Sequence, residues 1–126
     1  MKILVTGSSG FIGSKICKEL EKNKDITLIK TTSKQELATN GVKFLDLDNF
    51  DSSLDLYQYF DCPDMILHCA WQNIRDVNSA QHLEDFLPRH KSFLKNLISN
   101  GIHKVIILGT GFEYGNQNEY RGKYYL

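Results

Sequence analysis

The sequence predicts a doubly wound α/β fold: one parallel sheet of strand order 3-2-1-4-5 with helices on both faces. Three observations carry this. Short apolar runs alternate with helix-period segments at crossover length. The runs show no clean alternation of apolar and polar residues, so both faces of their sheet are expected to be covered. The first run, Lys2-Ile3-Leu4-Val5, leads directly into a glycine-rich turn that opens a helix.

Each element follows from local pattern. After the first strand, Phe11, Ile12, Ile16 and Leu20 form an apolar stripe, predicting a helix from about Gly10 to Lys22. Ile26 to Thr32 is β-branched and reads as strand two. Ser33 and Glu36 have capping-box spacing, predicting a short helix to Thr39. Asn40-Gly41 is a turn pair before strand three, Val42 to Leu47. Leu54, Tyr57 and Phe60 predict a short helix over Ser52 to Phe60, and Met65 to Ala70 reads as strand four. A polar loop, Gln72 to Ser79, precedes a long helical pattern from Ala80 to Asn100. That pattern places Leu83, Phe86, Leu87, His90, Phe93, Leu94, Leu97 and Ile98 on one face. Pro88 inside it either kinks one helix or starts a second. Gly101 is the expected C-cap and Lys104 to Gly109 is strand five. Gly111 to Leu126, with four tyrosines, shows no element.

The 126 residues suffice for one domain with a core. Lysine plus arginine and aspartate plus glutamate both number 15, which argues against a nucleic-acid or membrane-surface role. No apolar run reaches membrane-spanning length, and Lys2 to Val5 is too short for a signal-peptide core. Cys17, Cys62 and Cys69 contain no C-x-x-C, which favours reduced thiols in a cytoplasmic protein over a disulfide framework or zinc. His68, His82, His90 and His103 have no metal-ligand spacing, so no metal is expected.

The candidate site is Thr6-Gly7-Ser8-Ser9-Gly10-Phe11-Ile12-Gly13. At a strand-to-helix turn the first helical amides lack partners and the helix dipole favours an anion. Gly7 can take a tight turn with positive φ, Gly10 has no Cβ to hold a phosphate away, and Gly13 lets helix and strand pack closely. The spacing is G-x-x-G-x-x-G. A P-loop is excluded, since no glycine sits five residues before Gly13 and Lys15 does not follow a glycine directly.

This turn resembles the T-G-x-x-G-F-I-G turn of the extended short-chain dehydrogenase/reductase family, the NAD(P)-dependent epimerases, dehydratases and reductases of nucleotide sugars. The resemblance implies NADP or NAD held at Gly7, Gly10, Phe11, Ile12 and Gly13. Asp46-Leu47 resembles the family's acidic-apolar pair at adenine, whereas Asp48 and Asp51 read as solvated loop carboxylates. His68-Cys69-Ala70-Trp71 resembles the H-x-A segment where the backbone passes the pyrophosphate and nicotinamide ribose. His68 reads as a structural strand-end histidine, and Trp71 as either a pocket wall or ordinary packing. Thr110, four residues before Tyr114-Gly115, matches the family's catalytic Ser/Thr, whose hydroxyl binds the oxygen undergoing hydride chemistry. The wording around Thr110 and Trp71 is closest to nucleotide-sugar 4-ketoreductases. Lys30 to Lys34 holds Thr31, Thr32 and Ser33 and no acid, which favours NADP over NAD.

Two departures stand out. Asp85 falls where many relatives carry an asparagine. Relatives also continue into a Y-x-x-x-K helix and a substrate domain, while this sequence stops at Leu126 with only Tyr120-Arg121-Gly122-Lys123. The expectation is the cofactor-binding portion of a nucleotide-sugar enzyme. The alternative is a non-catalytic dinucleotide-binding module or truncated product. On either reading the 126-residue chain is expected to show no turnover and to self-associate through strand five.

Overall fold

The computed structural model describes residues 1–39, 41–72, 75–76 and 78–109. Five parallel strands lie in the order β3-β2-β1-β4-β5, as the sequence predicts. They are β1 (Lys2–Thr6), β2 (Thr27–Thr32), β3 (Val42–Phe44), β4 (Met65–His68) and β5 (Lys104–Ile107). The helices are α1 (Phe11–Leu20), α2 (Leu56–Tyr59) and α3 (Leu87–Asn100). Central β1 shows why the apolar runs lack alternation. Leu4 points into one core with Ile66, Phe60, Phe93 and Leu97, beneath α2 and α3. Its neighbours Ile3 and Val5 point into the opposite core with Cys17 of α1. Both faces are therefore covered, and β1 is buried from Ile3 to Thr6.

Several boundaries differ from expectation for local chemical reasons. The Ser33–Glu36 capping box does not form. The amide of Lys34 donates instead to Thr32 Oγ1 at 3.2 Å, and only a 3₁₀ turn, Gln35–Leu37, follows. Ser33 is therefore exposed and caps nothing. α2 starts four residues late because Asp51 captures the amide and hydroxyl of Ser53 in its own turn, a side-chain bond that competes with helix. Asp55 is the real cap, accepting from the Gln58 amide at 3.0 Å.

Pro88 sits in the first turn of α3. It has no amide proton for the carbonyl four residues back, and the preceding turn, His82–Phe86, is π-helical. The Leu87 amide reaches back to His82 O there. The unwinding changes the face: His90, Phe93 and Leu97 are buried as expected, but Leu83, Leu87 and Ile98 are exposed. β3 ends three residues early, at Phe44, and β4 two residues early, at His68. Gly101 closes α3 with φ +136°. No described helix is long and apolar enough to cross a membrane. Among the described residues no His, Cys, Asp and Glu side chains cluster as a metal site.

Candidate functional site

β1, in the middle of the sheet, delivers Gly7 to the carboxyl ends of the strands. Gly7 has φ +66°, and a Cβ there would lie 2.8 Å from both the Cys69 carbonyl carbon and the Ala70 nitrogen. The glycine turn thus rests directly on the backbone that leaves β4. Gly13 is tighter still: a Cβ would stand 2.2 Å from Gly7 O. Gly10 is different. It is exposed, its amide donates to Gly7 O at 3.0 Å, and a Cβ would meet only that oxygen, at 3.2 Å. So Gly7 and Gly13 are required by packing, while Gly10 leaves space on the solvent side. Gly10 is also the N-cap of α1, so no side chain caps the first-turn amides, and that turn carries no acid. Those amides and the dipole behind them suit a phosphate.

Around the turn, Ser8 Oγ donates to Thr31 O at 2.9 Å and ties it to the end of β2. Phe11 and Ile12 are 78% and 46% exposed, although apolar, and Lys15 Nζ stands 4.1 Å from the Phe11 ring centroid. Thr31 is buried, Thr32 accepts from Lys34, and Ser33 faces solvent. Asp46 lies just past β3. Its Oδ2 accepts from Asn49 Nδ2 at 3.0 Å and its Oδ1 from the Asp48 amide at 2.9 Å. These bonds hold its carboxyl below the usual carboxylate range, so it stays ionised. Leu47 is buried in the core.

The Cys69 amide donates to Thr6 O at 3.2 Å, Cys69 and Ala70 are half-buried, and burial pushes the Cys69 thiol up, so it is no ready nucleophile. Trp71 is 42% exposed and its indole N–H donates to His82 Nδ1 at 3.0 Å. Thr110 lies outside the described residues. Asp85 faces Arg89 at 4.0 Å across one helical turn.

A hydrogen-bond chain behind this surface escaped sequence reasoning. Thr6 Oγ1 meets His68 Nδ1 at 2.7 Å, and His68 Nε2 meets His90 Nδ1 at 2.6 Å. His90 Nε2 meets Gln72 Oε1 at 2.7 Å, and Gln72 Nε2 donates to Asp48 Oδ1 at 3.2 Å. Arg89 also pairs with Asp48, so this loop carboxylate, exposed as expected, is in addition tied into the chain. Burial, and then the neighbouring His90, lower the His68 pKa to about 4. Burial lowers His90 too, against the pull of Asp48. Both rings are neutral at pH 7. The signal for this chain was His90 itself, a polar residue on an apolar helix face.

Residues 3–125 match the model of the NAD dependent epimerase/dehydratase family. A dTDP-6-deoxy-L-talose 4-dehydrogenase (NAD(+)) of Aggregatibacter actinomycetemcomitans is 29% identical over 121 residues, 91% of this chain and 43% of that protein. A UDP-glucose-4-epimerase from Stenotrophomonas maltophila, solved with NAD, superposes with TM-score 0.70 at 21% identity, covering 94% of this chain and 39% of that one. Gre2 of Candida albicans, solved with NADPH, gives 0.62 at 22% identity, covering 85% and 36%. The structures share the fold, and this chain spans about two-fifths of the length of these relatives.

Proposed function

Because the chain belongs to the NAD dependent epimerase/dehydratase family, we propose that it holds NADP or NAD across the Gly7–Gly13 turn and the Cys69–Ala70–Trp71 segment. It would form the cofactor-binding portion, residues 1–126, of an extended short-chain dehydrogenase/reductase acting on a nucleotide sugar. The observation that carries the reading is the contrast within the turn. Gly7 and Gly13 have no room for a Cβ against protein backbone, whereas Gly10 is open to solvent beside uncapped helical amides.

The residues present fit the group. The amides of the first turn of α1 bind and orient the pyrophosphate. Ser33 and Lys34 are exposed just past β2, within reach of a ribose, and the side chain of neither makes a cap bond among the described residues. Asp46 stays ionised at the β3 edge as an acceptor for an adenine amine. Trp71 would wall the nicotinamide or substrate pocket at the β4 end. A bound nicotinamide supplies a hydride acceptor or donor, and Thr110 would orient the reacting sugar oxygen through its hydroxyl. The half-buried or buried free thiols Cys17, Cys62 and Cys69 suit a reducing cytoplasm.

Calorimetric titration with NADP and NAD tests the reading. Wild type is expected to bind at least one. Gly10→Val is expected to remain folded by circular dichroism and lose binding, because its side chain enters the space kept for the phosphates. Equal binding by wild type and Gly10→Val would contradict the reading.

A further inference from the structure

The loop leaving β4 is held at both ends by one side chain. His90, on α3, meets His68 with Nδ1 at 2.6 Å and Gln72 with Nε2 at 2.7 Å. Between those two partners lie Cys69, Ala70 and Trp71, and the Trp71 ring packs on the His90 ring with centroids 4.6 Å apart. We propose that His90 is a positioning residue for the cofactor site, an imidazole clasp that fixes the Cys69–Ala70–Trp71 turn against Gly7. The proposal rests on the reading of that turn as the cofactor's resting place.

The direction of every bond in the clasp follows from one carboxylate. Asp48 can only accept, so Gln72 must present its Nε2 to it and its Oε1 to His90. His90 Nε2 therefore carries the proton and donates, and its Nδ1 is left bare to accept. His68 then donates from Nε2 and, with Nδ1 bare, accepts from the Thr6 hydroxyl. Each ring atom has one job, and no buried side-chain polar atom among the described residues is left without a partner. The chain spans four elements: β1 through Thr6, β4 through His68, α3 through His90, and the loop after β3 through Asp48.

A proton added to His90 Nδ1 would reverse this order: His68, with its own proton moved to Nδ1, donates to the Thr6 hydroxyl and accepts from His90 at Nε2. The charged and titratable groups around His90 are His68 from β4, Asp48 from the loop after β3, and Arg89 beside it on α3. His82 accepts from the Trp71 indole at 3.0 Å, and Asp85 is paired with Arg89. Asp48 alone favours the protonated ring, and its charge is shared with Arg89. Protonation of His90 therefore turns the bond at the His68 end around and leaves it in place.

Two variants separate positioning from bulk. His90→Gln offers an amide oxygen and an amide N–H in place of the two ring nitrogens and does not titrate. His90→Phe keeps the packing and loses both bonds. Amide hydrogen exchange on the full chain without cofactor is expected to quicken at Cys69 to Gln72 in His90→Phe and to stay as wild type in His90→Gln, with α1 unchanged. Dinucleotide affinity is expected to fall about tenfold in His90→Phe, the scale of one lost hydrogen bond, and to stay near wild type in His90→Gln. Unchanged exchange at Cys69 to Gln72 in His90→Phe would overturn the clasp. Exchange that follows the proposal in a wild type that binds no dinucleotide would uphold the clasp and sink the cofactor reading instead. An affinity in His90→Phe equal to wild type, or a fall as large in His90→Gln, would overturn the positioning role.

Discussion

Gly13 faces the carbonyl oxygen of Gly7 so closely that a Cβ on Gly13 would lie 2.2 Å from it. The atom in the way is backbone at the bend of the turn, so it cannot rotate aside. Gly13→Ala is expected to cost at least about 3 kcal/mol of stability, at the severe end of overpacking. Gly10→Ala, where the nearest atom is 3.2 Å away, is expected to cost under about 1 kcal/mol. Urea unfolding of the two variants beside wild type checks this, and similar stabilities would refute the packing account.

Acid should weaken the fold through its buried histidines as pH falls from about 6.5 towards 4. His68 has a folded pKa of about 4 against an ordinary 6.5, so the unfolded chain binds its proton more readily. Its contribution is complete above about pH 6.5, is lost as pH falls towards 4, and changes no further below that. The loss is about 3 kcal/mol by linkage, and His90, lowered in the same direction, adds to it. Unfolding free energies measured at about pH 7.5 and about pH 4.5 test this sign. Equal stability at the two would show that His68 is not buried neutral.

NADP is expected to bind more tightly than NAD. Thr31 is buried and Thr32 accepts from Lys34, but Ser33 and Lys34 remain exposed at the end of β2, where an acid would have repelled a 2′-phosphate. The related talose dehydrogenase is named for NAD(+), which makes this comparison discriminating. Lys34→Glu should reverse the order of affinities at low salt. Tighter binding of NAD to wild type would refute the preference.

Among the described residues β5 is the last strand of the sheet, and its Ile106 and Ile107 are 54% and 58% exposed, on opposite faces. Such a strand is a template for another chain. The 126-residue polypeptide is expected to self-associate in sedimentation experiments, and Ile107→Lys to shift it towards monomer. A monomer at high concentration would count against this edge.

Much of the scaffold was legible because it is local. The β1–glycine turn–α1 unit is written in consecutive residues, and apolar runs without alternation implied a doubly covered sheet, from which strand order followed. Several failures share one cause: a side chain finds a partner that spacing does not reveal. Ser33 has capping-box spacing, but the Lys34 amide goes to Thr32. Asp48 looked like one more loop acid, yet Arg89 and Gln72 hold it from 41 and 24 residues away. His68 and His90 are 22 residues apart, and only the packing of α3 on β4 joins them. Thr110 lies outside the described residues, so its role rests on resemblance.

The central claim, a dinucleotide lying across the glycine turn and the β4 end, is tested most directly by energy transfer from Trp71, the one tryptophan of the chain. Reduced nicotinamide absorbs where tryptophan emits. Adding NADPH and exciting the indole is expected to give sensitised nicotinamide emission that saturates with the calorimetric isotherm. Trp71→Phe should lose the emission but keep binding, and Gly10→Val should lose both. Saturable NADPH binding with no transfer from Trp71, or no binding by a folded wild type, would contradict the account.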